Sequence, residues 1–191
     1  MKRGVGKTHG KRKDDPSCVC HGSPQQKSLT ESRSAIIIKW IMGIPMLPAK
    51  CAGRMGEQMN RRELREQIFM LLFRVEFNQK DDMPEQCTLF LEDGDTEISE
   101  KDAAYIRSKY EKIAEKLPEI DKLINETAIG WDTQRMGKVE LTIIRLAVYE
   151  IRFDETVPTG VAINEAVELA KTYCDVEAKS FINALLAKLA D

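Results

Sequence analysis

The chain has 191 residues, of which 42% are hydrophobic and 31% are charged, as in an ordinary water-soluble protein. This length suits one domain with or without a tail, and a core of that size needs no disulfide or metal to hold it. The five cysteines are an odd number and only two lie beyond residue 58, which argues against a disulfide framework and favours a reducing compartment such as the cytoplasm.

Charge divides the chain near Met59. Residues 1–58 carry 11 Lys and Arg against 4 Asp and Glu, a net charge of +7, whereas residues 59–191 carry 18 against 27, a net charge of −9. Such a reversal predicts a tail (1–58) attached to a domain (59–191). Because phosphate affinity comes from neutralising cations, a domain this acidic needs a local basic patch, and help from a partner, to bind nucleic acid.

The first 58 residues are predicted to be a disordered extension or the product of an over-extended reading frame. Residues 1–34 are rich in Lys, Arg, Gly, Ser and Pro, a composition with little that could enter a core. Met55 and Met59 both stand just before the first strong helical pattern, so either could be the true start.

Two features of this extension invite sharper interpretations. The apolar run at 35–47 has 13 residues, which is too short to cross a membrane, and it begins too far from the N-terminus for an ordinary signal peptide. Cys18, Cys20 and His21 hint at zinc, but a structural site needs four ligands at spacings that this cluster lacks. We therefore expect neither a membrane segment nor a metal site here.

Beyond Met59 the apolar residues recur at helical spacing and no alternating strand pattern appears, so an all-α domain is predicted. The first helix should begin with Asn60 as its N-cap and Glu63 as the capping-box partner, and should end near Asn78. A short helix is expected to follow Pro84.

Five further helices are predicted from Ser99 onward. Ser99 should cap a helix of about 18 residues, with Pro118 starting a separate helix that Gly130 closes. Gly137 introduces a helix that is apolar nearly all round, which is typical of a central, buried position. The last two helices are predicted at 161–174 and at 176–190.

Several segments in the C-terminal half resemble the signature of the NusB family of bacterial transcription antitermination factors. They are IRLAVYE at 144–150, VP at 157–158, VAINEAVELAK at 161–171 and SFIN at 180–183, in the family's order and spacing. The basic start of the first helix, RRELRE at 61–66, is similar too. The likeness covers roughly 130 residues, the whole predicted domain.

The resemblance implies a bundle of two packed three-helix subdomains and a function in binding rather than catalysis. It implies contact with the boxA-type RNA of ribosomal RNA operons, shared with the small-subunit ribosomal protein that doubles as NusE. Together these would support the transcription elongation complex. No cofactor is implied, and because some family members are described as dimers and others as monomers, a homodimer is left open.

The arginines at the start of the first helix are the first candidates for RNA contact. Arg61, Arg62 and Arg65 offer planar forks of donors to phosphate, and a helix N-terminus adds its own positive end. The alternative is a solvated basic face in which these arginines pair with Glu63 and Glu66.

Three further candidates for RNA contact depend on the resemblance. Phe73, in a stripe of phenylalanines that is otherwise typical of a core, stands where many family members have tyrosine and could stack on a base. Thr156 and Thr159 lie in the loop expected between two helices, although Thr159 could instead cap the second of them. Gly160 stands where the family often has a basic residue, which puts one phosphate contact in doubt.

An acidic stretch is the candidate for binding the partner. Glu111 and Glu115, with Glu119 and Asp121 after them, would suit a basic ribosomal protein through charge complementarity. The alternative is an ordinary solvated face.

Two other functions fit parts of the pattern. A NusB-like domain also occurs at the N-terminus of an rRNA cytosine methyltransferase, but that enzyme needs a large cofactor-binding domain downstream, and this sequence ends at Asp191. A helical protein–protein adaptor would need no RNA contact. Residues 59–191 contain no histidine, Gly-rich phosphate loop or metal-ligand cluster, so no enzymatic activity is expected.

Overall fold

The computed structural model describes residues 58–92, 98–128 and 130–190, which form six α-helices and two single-turn 3₁₀ helices and no strand. The 3₁₀ turns are Arg74–Glu76 and Lys80–Asp82. The α-helices are α1 (Arg61–Phe73), α2 (Met83–Glu92), α3 (Glu100–Thr127), α4 (Lys138–Arg152), α5 (Thr159–Tyr173) and α6 (Val176–Ala190).

α1 begins with the predicted capping box. The side-chain oxygen of Asn60 accepts hydrogen bonds from the backbone N–H groups of Arg62 and Glu63, both at 3.0 Å, and the Glu63 carboxylate accepts one from the Asn60 N–H at 2.9 Å. These bonds satisfy amides that the first turn of a helix leaves without partners. The chain leaves α1 through the 3₁₀ turn that ends at Glu76, close to the end predicted at Asn78.

The start of α3 also holds the chain just before α1. The Ser99 hydroxyl accepts a hydrogen bond from the Asp102 N–H at 3.2 Å, which confirms Ser99 as the cap, and it donates one to the Asp102 carboxylate at 2.9 Å. The same carboxylate accepts a hydrogen bond from the backbone N–H of Met59 at 3.0 Å. Asp102 is only 2% exposed, and none of the cations in the described ranges pairs with it.

One long helix replaces two predicted ones. α3 runs without a break over 28 residues, and Pro118 lies inside it with an exposed ring, so the prediction that Pro118 starts a new helix is wrong. An interior proline removes one backbone hydrogen bond and costs about 3 kcal/mol relative to alanine. α3 tolerates this cost because Ile113 and Ile120, on either side of the proline, are fully buried and hold the helix against the core.

α4 is the central helix, as its pattern predicts. Nine of its 15 residues are buried, and it packs against α1, α3, α5 and α6. α1 also packs on α3, and α5 on α6. The two predicted three-helix subdomains therefore correspond to α1–α3 and α4–α6, which share one hydrophobic core.

An ionic cluster joins the subdomains beside this core. Arg145 of α4 donates two hydrogen bonds to the Asp121 carboxylate of α3, at 2.7 and 2.8 Å, and also pairs with Glu76 at the end of α1. Lys138 reaches the other oxygen of Glu76 at 2.6 Å. Asp121, which belongs to the acidic stretch, is thus engaged within the bundle.

Cys87 and Cys174 are both buried, as small apolar residues would be. None of the described helices is both long and apolar enough to cross a membrane. The predictions for residues 1–57, including the disordered tail, the apolar run and the Cys18–His21 cluster, lie outside the described residues.

Replacing the interior proline should stabilise the fold. Pro118→Ala restores an N–H that can donate within α3 and removes the ring, so we expect the free energy of unfolding to rise by about 1–3 kcal/mol. A smaller opposing effect arises because alanine leaves the unfolded chain more flexible than proline does. Urea denaturation followed by circular dichroism measures this change.

The matched control for this experiment is Lys112→Ala, an exposed position in the same helix, which should change the free energy of unfolding by less than about 0.5 kcal/mol. An unchanged or lowered stability of Pro118→Ala would mean that packing of α3 requires a bend at the proline.

Candidate functional site

A groove of about 300 Å³ opens where α1 begins, beside the loop that leads into α5. Arg61, Arg62 and Arg65 line it together with Thr156, so four of the six predicted RNA-contact residues meet at one surface. The other lining residues are Asn60, Val157, Pro158, Val161 and Glu165.

The two outer arginines differ in what they bind. Arg61 is exposed and forms no ion pair with any residue in the described part of the chain. Arg62, whose side chain is 60% exposed, donates from Nε and Nη2 to the two carboxylate oxygens of Glu165, at 3.1 and 3.0 Å. The hydrogen bond and charge of Glu165 raise the pKa of Arg62. The predicted alternative, salt bridges to Glu63 and Glu66, is not what the structure shows.

Arg65 lies at the bottom of the groove and is buried. Its Nε donates to both carboxylate oxygens of Glu150 in α4, at 3.0 and 3.1 Å, and its Nη1 lies 3.6 Å from Glu165. A buried cation needs such partners, because removing a charge from water costs several kcal/mol. Arg65 therefore lines the groove, but its charge is already neutralised by two carboxylates.

The ionic network continues from Glu150 into the loop before α5. Lys109 of α3 is buried, lies 3.8 Å from Glu150 and pairs with Asp154. Asp154 accepts hydrogen bonds from the backbone N–H and the hydroxyl of Thr156, at 3.0 and 2.6 Å. Burial alone would raise the pKa of Asp154, but the hydrogen bonds from Lys109 and Thr156 outweigh it and lower the pKa to about 2.

These contacts revise the expected role of Thr156. Both of its donors are used by Asp154, so Thr156 holds the loop in place and offers RNA at most the lone pairs of its hydroxyl oxygen. Thr159 is the first residue of α5 and does not cap it, which makes the predicted alternative wrong.

The N-terminus of α5 is open at this groove. Its N-cap is Pro158, which has no side chain that can accept a hydrogen bond, and the N–H groups of Thr159 and Gly160 donate to no other described residue. Free amides at a helix N-terminus bind anions, with help from the helix dipole. The site of a Cβ on Gly160 is surrounded by open space, so a longer side chain would fit at this position.

Phe73 does not face the groove. It is 3% exposed, and its ring centroid lies 6.4 Å from that of Phe69 and 5.0 Å from that of Phe77. The structure therefore places Phe73 in the core with no face open to a base, contrary to the expected stacking role. Phe77, at 48% exposed, is the member of this stripe that reaches solvent.

The acidic stretch lies on α3, outside the groove. Glu111 and Glu115 are exposed, stand one helical turn apart and form no ion pair with a described residue. Further along, Glu119 and Asp121 are engaged by cations of α3 and α4. The structure leaves Glu111 and Glu115 as the free part of this stretch.

The carboxylates and the lysine that organise the groove were not predicted from the sequence. Glu150 and Lys109 interrupt otherwise apolar helix faces, and a charged residue in such a place signals a buried ion pair. Glu165 lies inside the VAINEAVELAK segment but gave no signal of its own, because its partners are far away in the chain.

A sequence model of the NusB family matches residues 62–191. A transcription antitermination protein NusB from Agathobacter rectalis is 50% identical over 132 residues, which cover 69% of this chain and 100% of that protein. Among solved structures, NusB of T. maritima has a TM-score of 0.64 at 30% identity, covering 70% of this chain and 92% of that one. A complex of the antitermination factors NusB and NusE with dsRNA matches at a TM-score of 0.60 over 68% of this chain and 95% of that one, and at 24% identity it shows the fold alone.

Arg65 and Arg61 should differ sharply in their effect on stability. Arg65→Ala leaves Glu150 buried with only Lys109 nearby, so we expect the free energy of unfolding to fall by about 3 kcal/mol or more. The exposed Arg61→Ala should change it by less than about 0.5 kcal/mol. Urea denaturation of both variants tests the distinction, and similar small effects would contradict a structural role for Arg65.

Proposed function

Since this chain belongs to the NusB family of transcription antitermination proteins, we propose that it binds boxA-type RNA of ribosomal RNA operons through the groove at the start of α1. The observation that carries the proposal is the meeting of Arg61, Arg62 and the open N-terminus of α5 at one surface.

The contacts in the groove distinguish residues proposed to bind RNA from residues proposed to support the surface. Within the described ranges Arg61 has no carboxylate partner and Nη1 of Arg62 has no partner, so both arginines can donate to RNA phosphates. The backbone N–H groups of Thr159 and Gly160 would bind a second RNA phosphate at the start of α5. Arg65 and Thr156 hold the surface in shape.

Charge explains why a partner is proposed as well. The domain carries −9 overall, and in the network around the groove three cations face three carboxylates, so little free positive charge remains. A basic NusE-type ribosomal protein would supply the missing neutralisation. We place its contact at Glu111 and Glu115, whose exposure suits a positively charged surface.

The proposal extends to how and where the protein acts. It would work by binding, as part of the transcription elongation complex in the cytoplasm, and not by catalysis. Relatives of this fold support the partners: one solved complex contains NusB, NusE and dsRNA. A homodimer stays a prediction from the family resemblance.

RNA binding should depend on the two outer arginines. Arg61→Ala and Arg62→Ala are each expected to weaken binding to a boxA-type RNA roughly three- to tenfold and to lower the slope of log affinity against log salt by about 0.7. Fluorescence anisotropy between roughly 50 and 200 mM salt, with and without a NusE-type protein, measures both quantities.

Arg135→Ala is the matched control, because it removes an exposed arginine before α4 whereas the groove lies past the other end of that helix, about 20 Å away. It should leave RNA affinity within about twofold. If none of the three substitutions changes the affinity for RNA, or if the wild-type chain binds no RNA even with the partner present, a function as a protein–protein adaptor would be favoured.

The partner contact is tested by charge reversal. Glu111→Lys and Glu115→Lys should each weaken binding of the NusE-type protein roughly five- to tenfold, because each places like charges across the interface. Glu126→Lys, also exposed on α3 but three turns further along, is the control and should have little effect. Isothermal titration calorimetry without RNA gives the affinities, and equal effects of all three reversals would place the partner elsewhere.

A further inference from the structure

Among the described side chains that line the groove, Glu165 is the one carboxylate. Its side chain is 15% exposed, so it lies within the groove wall and not on the open surface. A negative charge in this place opposes the binding of any polyanion, and the proposed function gives no reason for it.

The geometry of Glu165 is that of an anion bound to arginine. Its two oxygens accept from Nε and Nη2 of Arg62, at 3.1 and 3.0 Å, and one of them lies 3.6 Å from Nη1 of Arg65. Arginine binds phosphate through the same two parallel donors. The Glu165 carboxylate therefore uses the two donors of Arg62 that would otherwise bind two oxygens of an RNA phosphate.

We propose that Glu165 is a specificity-determining residue of the groove, which holds Arg62 in an internal ion pair that RNA must displace. The inference rests on the proposed RNA-binding function. Every polyanion that contacts Arg62 meets the cost of separating this pair, but only an RNA whose bases donate a hydrogen bond to the freed carboxylate recovers part of that cost. Glu165 thus lowers the affinity for unrelated RNA more than for the boxA-type sequence.

A role of Glu165 in supporting RNA binding would predict the opposite change in RNA affinity when the carboxylate is neutralised. If Glu165 served only to orient Arg62 and Arg65 for phosphate, neutralising it would loosen both arginines and weaken RNA binding. If it competes with phosphate, neutralising it strengthens binding. One substitution therefore separates the two roles.

The test compares Glu165→Gln with Glu168→Gln in the full chain. Glu168 lies one turn further along α5, pairs with Lys171 and is outside the groove, and it also attracts Arg62 at longer range. The two variants thus remove the same charge from neighbouring places. Fluorescence anisotropy is measured with a boxA-type RNA and with a scrambled RNA of equal length, each with the NusE-type protein present.

Glu165→Gln is expected to raise affinity for the scrambled RNA about tenfold and for the boxA-type RNA about threefold, so that discrimination between them falls about threefold. Glu168→Gln should change either affinity by less than about twofold. A weaker affinity of Glu165→Gln for both RNAs, or equal effects of the two variants, would overturn the inference. Failure of the wild-type chain to bind either RNA would contradict the proposed function itself.

A thermal melt of each variant checks the fold. Should Glu165→Gln fail to fold, Arg62→Gln tests the ion pair between Arg62 and Glu165 through its arginine, with Arg61→Gln as the comparison. Losing Arg62 leaves Glu165 with only Arg65, which is already paired with Glu150, so Arg62→Gln should weaken binding of the scrambled RNA more than Arg61→Gln does. An equal or smaller loss would show that Glu165 does not oppose RNA.

Discussion

The ion pair between Arg65 of α1 and Glu150 of α4 is the contact on which the groove depends. Both side chains are buried, and a buried charge without a partner destabilises a fold by several kcal/mol. Each therefore draws in a further residue of opposite charge: Glu165 approaches Arg65, and Lys109 approaches Glu150 and Asp154. In this way one pair fixes α1, α3, α4, α5 and the loop before α5 relative to one another.

The same network explains how an acidic domain holds several arginines together in one groove. Most of the positive charge near the groove is neutralised internally, which keeps the arginines in place without creating a strong general attraction for nucleic acid. Arg61 and the free amides at the start of α5 remain as donors. Such a surface favours binding that needs several contacts at once over binding through bulk charge.

Local signals predicted most of the helices. The caps at Asn60 and Ser99 and the apolar stripe of Val176–Ala190 depend on neighbours within a few residues, and all three were confirmed. Pro118 was misplaced because its local preference to begin a helix is outweighed by the burial of apolar residues on both sides, which is a property of the assembled core.

The site was harder to predict than the helices. The family resemblance brought the arginines of α1 and the loop before α5 to attention, and the structure places them together. It gave no sign that Arg65 is neutralised by Glu150, since the two are 85 residues apart, or that Phe73 faces inward. Burial of a single residue on an amphipathic helix depends on what packs against it, and that information lies elsewhere in the chain.

The charge at the hydrogen bond from the Met59 nitrogen to Asp102 depends on where the polypeptide begins. In a chain that continues upstream, this nitrogen is a neutral amide, and it gives a buried carboxylate no compensating charge. In a chain translated from Met59, the same nitrogen would be an α-ammonium and the contact would become an ion pair. A chain that starts at Met59 would thus differ from the longer chain in the charge at a single atom beside α3, as well as in length.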